Sequence, residues 1–187
     1  MAVRDAARRK YTYEDYLLLP EDGERHEIVD GDHCVSPSPL TRHQRLSMRL
    51  STRLGSFVES SGLGELFSAP LDVVLSPHDV LQPDLLFISK ERAGIVTERN
   101  IQGAPDLVIE ILSGGTRRLD EGAKLARYAR FGVREAWFLE PESALARVYR
   151  QRGETLLRAA ELSAAAGDSL TTPLLPGLAI PLADLFR

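Results

Sequence analysis

The sequence predicts one mixed α/β domain: a helix, three strands, a second helix and a further strand, with an N-terminal hairpin before them and a C-terminal extension after. Three observations carry that expectation. Residues 41–60 repeat apolar side chains at helical spacing. Val108–Leu112 and Glu135–Leu139 are short apolar runs bounded by proline or glycine, as buried strands are. Asp30-Gly31 stands between two alternating stretches, the pattern of a two-residue hairpin turn. At 187 residues the chain can bury one good core but not two of ordinary size, so residues 1–187 are read as a single domain, with 1–10 polar and flexible.

Taken in order, Thr12 and Asp15 stand at the spacing of a capping box and open a short helix that ends near Pro20. Residues 25–29 and 32–35 flank the Asp30-Gly31 turn, and Ser36-Pro-Ser-Pro39 breaks the chain before Thr41, a candidate cap for the helix over 41–60. On that helix Leu46, Leu50, Leu54 and Phe57 make an apolar stripe, with His43 on the same side. Arg42, Arg45, Arg49 and Arg53 make a second stripe beside it. Strands are expected over 65–75 and 80–88, then a charged connection over 89–103 with a helical turn near Glu91, then the Val108–Leu112 strand. Thr116 is positioned to cap a helix over 117–131 that Gly132 stops. Residues 135–139 form a strand, 145–150 and 154–159 a hairpin around Arg152-Gly153, and Leu182–Phe186 a final helical turn.

Composition narrows the function classes. Apolar content of 43% and charged content of 27% belong to an ordinary globular chain. A formal net charge of −4 argues against coating nucleic acid by bulk charge, while leaving room for a local basic stripe. A single cysteine, Cys34, rules out an internal disulfide and a cysteine-based zinc site, and fits a reducing compartment. Residues 1–10 lack the apolar core of a signal peptide, and no apolar run nears the length of a membrane span. A soluble, cytoplasmic protein is expected.

The candidate chemistry centres on Glu110. On a strand, Asp106, Val108, Glu110 and Leu112 share one face, so this carboxylate has apolar neighbours on its own face as well as behind it. Ionised and unpaired there, it would cost several kcal/mol, so it is protonated, paired with a base or bound to a cation. Asp84 opens a strand after Pro83, where a loop-closing aspartate is the plain alternative. Lys124 lies one helical turn after Asp120 and one before Tyr128. It is either half of a surface pair with Asp120 or, since Tyr128 and Phe131 share its face, an inward lysine in reach of the acids. Glu27 alternates with Val29 on the hairpin, half buried. His43 is a core histidine or a site residue, and the arginine stripe is a solvated face or a track for a phosphate backbone. Phosphodiester hydrolysis would use such groups together. Two carboxylates can hold a hard divalent ion, and a lysine can face the charge that develops on phosphorus.

Read in order, these residues resemble the PD-(D/E)xK superfamily, and more closely the Uma-type family of endonucleases. The matching stretches are Glu27-Ile-Val-Asp-Gly31, Ser36-Pro-Ser-Pro with Arg42-His-Gln44, Ala69-Pro-Leu-Asp-Val73 and Gln82-Pro-Asp-Leu-Leu86. They continue through Gly103 to Glu110, Thr116-Arg-Arg to Lys124, Tyr128-Ala129 and Trp137 to Pro141. The resemblance implies a restriction-endonuclease-like αβββαβ core, a mixed sheet with helices on both sides. It further implies a DNA endonuclease using Mg2+ (or Mn2+), with Asp84 and Glu110 as metal ligands. The superfamily's lysine stands two residues after the second acid, a position that is Leu112 here; the Uma-type pattern gives its role to Lys124 on the following helix. Glu27 joins the catalytic set, and His43 and Gln44 line the site opposite. DNA and a second copy of the chain, as a homodimer, are the implied partners. The alternatives are a silent nuclease-like domain that binds nucleic acid or protein, and a structural dimer whose buried acids only pair with arginines.

Overall fold

In the computed structural model, which describes residues 9–20, 22–112 and 119–187 and no side chains at 119 and 120, local signals set most of the elements. The expected Thr116 cap, the helix start at 117, the Asp120–Lys124 pair and most of the N-terminal arm lie outside what is described. Helix α1 (Tyr13–Tyr16) carries the capping box, Thr12 and Asp15 satisfying each other's backbone. Strands β1 (Arg25–Val29) and β2 (Asp32–Ser36) pair antiparallel through Asp30 and Gly31, whose φ of 51° and 79° are those of a type I′ turn. Helix α2 (Thr41–Ser61) begins one residue earlier than a Thr41 cap would allow. Leu40 is its N-cap, makes no side-chain cap bond, and Gly62 closes the helix in the left-handed region.

The strands expected over 65–75 and 80–88 each divide in two. Proline has no N–H to give a ladder, so Pro70 and Pro83 mark the places where the chain leaves one sheet for another. Strand β3 (Gly64–Ser68) belongs to a large sheet, β4 (Val73–Ser76) and β5 (Asp79–Leu81) to a small one, and β6 (Leu85–Ser89) to the large one again. The charged connection holds a 3-10 turn over 90–95 and β7 (Ile101–Gln102). After β8 (Leu107–Ile111) come a π-helical turn (Leu119–Lys124) and α3 (Leu125–Phe131), then β9 (Glu135–Glu140), β10 (Leu145–Arg152) and β11 (Thr155–Ser163). The short pair β12 (Ser169–Leu170) and β13 (Ile180–Pro181) precedes α4 (Leu182–Phe186), which is the expected final turn.

The large sheet runs β11-β10-β9-β8-β6-β3, mixed because β8 and β9 are parallel; the small one runs β2-β1-β5-β4-β7. Leu46, Leu50, Leu54 and Val58 of α2 pack on one face of the large sheet against Leu107, Ile109 and Trp137. Phe57, expected in this stripe, is only half buried, and Val58 takes the inner place. The opposite face, Val108, Ala136 and Phe138, is covered by Tyr128 of α3 and by Val29 and Leu81 of the small sheet. Glu110 points to this second face, where the two sheets meet.

Candidate active site

Strand register brings the acids together. Leu85 lies opposite Ile109 and Leu86 opposite Val108, so continuing the antiparallel ladder by one residue sets Asp84 beside Glu110. Glu27 comes from β1 of the small sheet and is fully buried; the Gln82 N–H, at the crossing between sheets, donates to its Oε1 at 2.7 Å. Lys124 joins the two sheets. Its Nζ is 2.9 Å from Glu27 Oε1 and 3.4 Å from Glu110 Oε1, and the residue is 1% exposed. Tyr128, one turn further along the helix, donates its hydroxyl to Glu110 Oε1 at 2.5 Å.

Asp84 is held from three sides. Arg25 Nη1 donates to Oδ1 at 2.9 Å, the Ile111 N–H donates to Oδ2 at 2.7 Å, and His43 Nε2 lies 3.3 Å from Oδ2. Burial pushes its carboxyl up, but the His43 hydrogen bond, the Arg25 charge and the Ile111 amide outweigh it and hold the group down at about 2. Burial likewise works against the Arg25 charge, and the carboxylates of Asp84, Glu27 and Glu110 around it raise that pKa above its ordinary value. Asp84 is therefore held ionised, facing Arg25.

Several of these groups, though not Glu27 or Tyr128, line one end of a cavity of about 780 Å³. Arg25, His43, Gln82, Asp84, Glu110 and Lys124 line it at depth, while Ser36–Leu40, Gln44, Ala69-Pro70 and Glu142 line it nearer the surface. Every residue expected at the centre is thus present: Asp84, Glu110, Lys124 and Glu27 meet, and His43 faces Asp84 instead of vanishing into the core. The arginine stripe is another matter. Arg42 pairs with Glu142 and Arg53 with Asp184, Arg49 donates to the carbonyls of Leu185 and Arg187, and Arg45 is exposed. Among the described residues Arg42 lines the cavity, and Arg45, Arg49 and Arg53 do not. Two contributors went unnoticed in the sequence, Arg25 and the Tyr128 hydroxyl. Each carried a signal: Arg25 is two residues from Glu27, on its strand face, and Tyr128 four from Lys124, on its helix face.

Among the described residues no three His, Cys, Asp or Glu side chains surround one point closely enough to hold a metal ion. The donor chemistry nevertheless suits a hard divalent ion. Glu27, Asp84 and Glu110 gather carboxylate oxygens at one place, and among the described residues Glu27 Oε2 is buried with no hydrogen-bond partner. A buried carboxylate oxygen without a partner is what a cation would relieve.

No helix among the described residues is long and apolar enough to cross a membrane. No curated protein matches the chain. The crystal structure of a "putative nuclease belonging to DUF820" from Anabaena variabilis ATCC 29413 superposes with a TM-score of 0.78 at 22% identity, covering 94% of this chain and 97% of that one. That likeness is one of fold, and the fold is restriction-endonuclease-like. Residues 13–183 match the Uma2 family, described as "Putative restriction endonuclease", and with nearly the whole chain inside that match, the protein belongs to the Uma2 family.

Proposed function

We propose that the chain is a metal-dependent DNA endonuclease, with Asp84 and Glu110 as the ligands of Mg2+ or Mn2+ and Lys124 and Glu27 completing the catalytic set. The observation that carries this reading is the meeting of Asp84, Glu110 and Lys124 at the deep end of one cavity. In the reaction a water oxygen bonds to phosphorus, the bond from phosphorus to the leaving oxygen breaks, and the water's proton ends on that alkoxide. A bound divalent ion would supply a water of lowered pKa and neutralise charge on the phosphate. The chain's own residues set the geometry. Arg25, His43 and the Ile111 amide fix the orientation of Asp84, while Lys124 and Tyr128 fix Glu110. A homodimer acting in the cytoplasm is part of the same proposal; a sequence with a single cysteine suits that compartment.

Thermal melting of wild type and Glu110→Gln, with and without Mg2+ and Mn2+, followed by plasmid cleavage, tests the reading. Metal should raise the wild-type melting temperature and not that of the variant, because binding to the folded state alone stabilises it. Cleavage should be lost in the variant. Equal melting in all conditions, with no cleavage by wild type, sinks it. A second reading, a silent domain that binds nucleic acid or a protein, draws on the pairing of Arg25 and Lys124 with the acids. It requires oligonucleotide binding that survives Glu110→Gln in a protein that never cuts.

A further inference from the structure

We infer that the DNA this site takes is an unpaired strand, not a regular duplex. The inference rests on the nuclease reading and adds the form of the substrate to it. Depth comes first. Asp84 is 5% exposed and Glu110 2%, and both are reached through the cavity. Duplex DNA is stiff, with a persistence length of about 50 nm, and carries its phosphates on a convex outer surface. Such a rod touches the rim of a pocket without lowering a phosphodiester linkage to its floor. A single strand bends freely, and enzymes that react at the bottom of a pocket take unpaired nucleotides or extrude them. The cavity volume, about 780 Å³, falls among pockets that enclose small molecules, the scale of a nucleotide or two.

The walls agree. Pro37, Pro39, Leu40 and Pro70 give the cavity an apolar side, and base faces are free to lie against such a surface only when unstacked. The outer face of α2, by contrast, is a poor duplex track. Duplex affinity comes from neutralising several phosphates at once. Arg42 and Arg53 are paired with Glu142 and Asp184, which a phosphate would have to displace, and Arg49 holds the C-terminal carbonyls. Of the four arginines, Arg45 alone stands exposed with no carboxylate pair among the described residues. The formal net charge of −4 gives a polyanion no general attraction.

The test measures fluorescence anisotropy of a labelled single-stranded oligodeoxynucleotide and of its blunt duplex with wild-type protein in EDTA. The same DNAs, and a duplex with a central unpaired bubble, are then incubated with Mg2+ or Mn2+. The single strand should bind at least about tenfold more tightly than the duplex, and cutting should fall in the unpaired segments. Gln44→Trp, placing a bulky ring at the exposed cavity mouth, should weaken single-strand binding several-fold while Arg45→Glu barely changes it. Duplex bound or cut as well as the single strand overturns the inference, as does a folded Gln44→Trp that binds normally or a protein that binds neither DNA. Single-strand preference with no cutting under either metal upholds the preference and removes the nuclease reading.

Discussion

Lys124 decides the character of the site at the residue scale. An ammonium this deeply buried needs carboxylates beside it, and Glu27 and Glu110 sit 2.9 and 3.4 Å away. Lys124→Met takes the ammonium away from both carboxylates, and breaking a buried pair in this way costs about 3–5 kcal/mol. Urea unfolding should register that loss, and adding Glu27→Gln to Lys124→Met should recover part of it. Asp106, outside the site, sets an acid limit. Burial raises its carboxyl, but the Ser89 amide and the charges of Arg134 and Arg92 more than compensate, so its folded-state pKa lies below the ordinary 3.8. A depressed carboxylate contributes stability above its unfolded pKa and loses it as pH falls through the folded value. Asp106→Asn should therefore destabilise at neutral pH, by about 1–3 kcal/mol, and flatten the stability profile below pH 3.8. Glu110 was legible in the sequence because an ionisable group among apolar neighbours needs a partner, whereas Lys124 stood open between a surface pair and an inward place and drew its role from the family resemblance. Arg25 was not legible, since an arginine beside a turn reads as solvated until the strand's partner sheet is known.

At the scale of elements, pairing distance is the controlling quantity. Gly64 of β3 crosses so close to β6 that a Cβ would lie 2.1 Å from the Ile88 carbonyl oxygen, a backbone atom that cannot step aside. Gly64→Ala should lower stability by about 1–3 kcal/mol, and the lowered melting temperature should come with weakened amide protection along β3 and β6. Apolar runs at 65–75 and 80–88 announced strands correctly but not their division. Alternation tells which residues pair with a sheet; it does not say that Pro70 and Pro83 hand the chain from one sheet to another. The α2 wheel was legible for the same reason that its cap was not: four leucine and valine contacts outvote a local preference for threonine, and the helix starts where packing needs it.

For the whole molecule, the arrangement of two sheets explains why the centre was easier to read than its surroundings. The acids sit where β1, β6 and β8 converge, and Glu110 among them carried its own chemical signal; the fates of Arg42, Arg49 and Arg53 depend on Glu142, Asp184 and the C-terminal segment, far off in sequence. Charge pairs across such distances leave no periodic trace. One contact has a consequence for how the protein fails. A single ammonium clasps a carboxylate of the small sheet to a carboxylate of the large one, so the junction cannot loosen without dissolving the site, and the site cannot be dismantled without loosening the junction. Heat inactivation and loss of ellipticity should then trace one superimposable curve, leaving no temperature range in which the protein is folded yet inert.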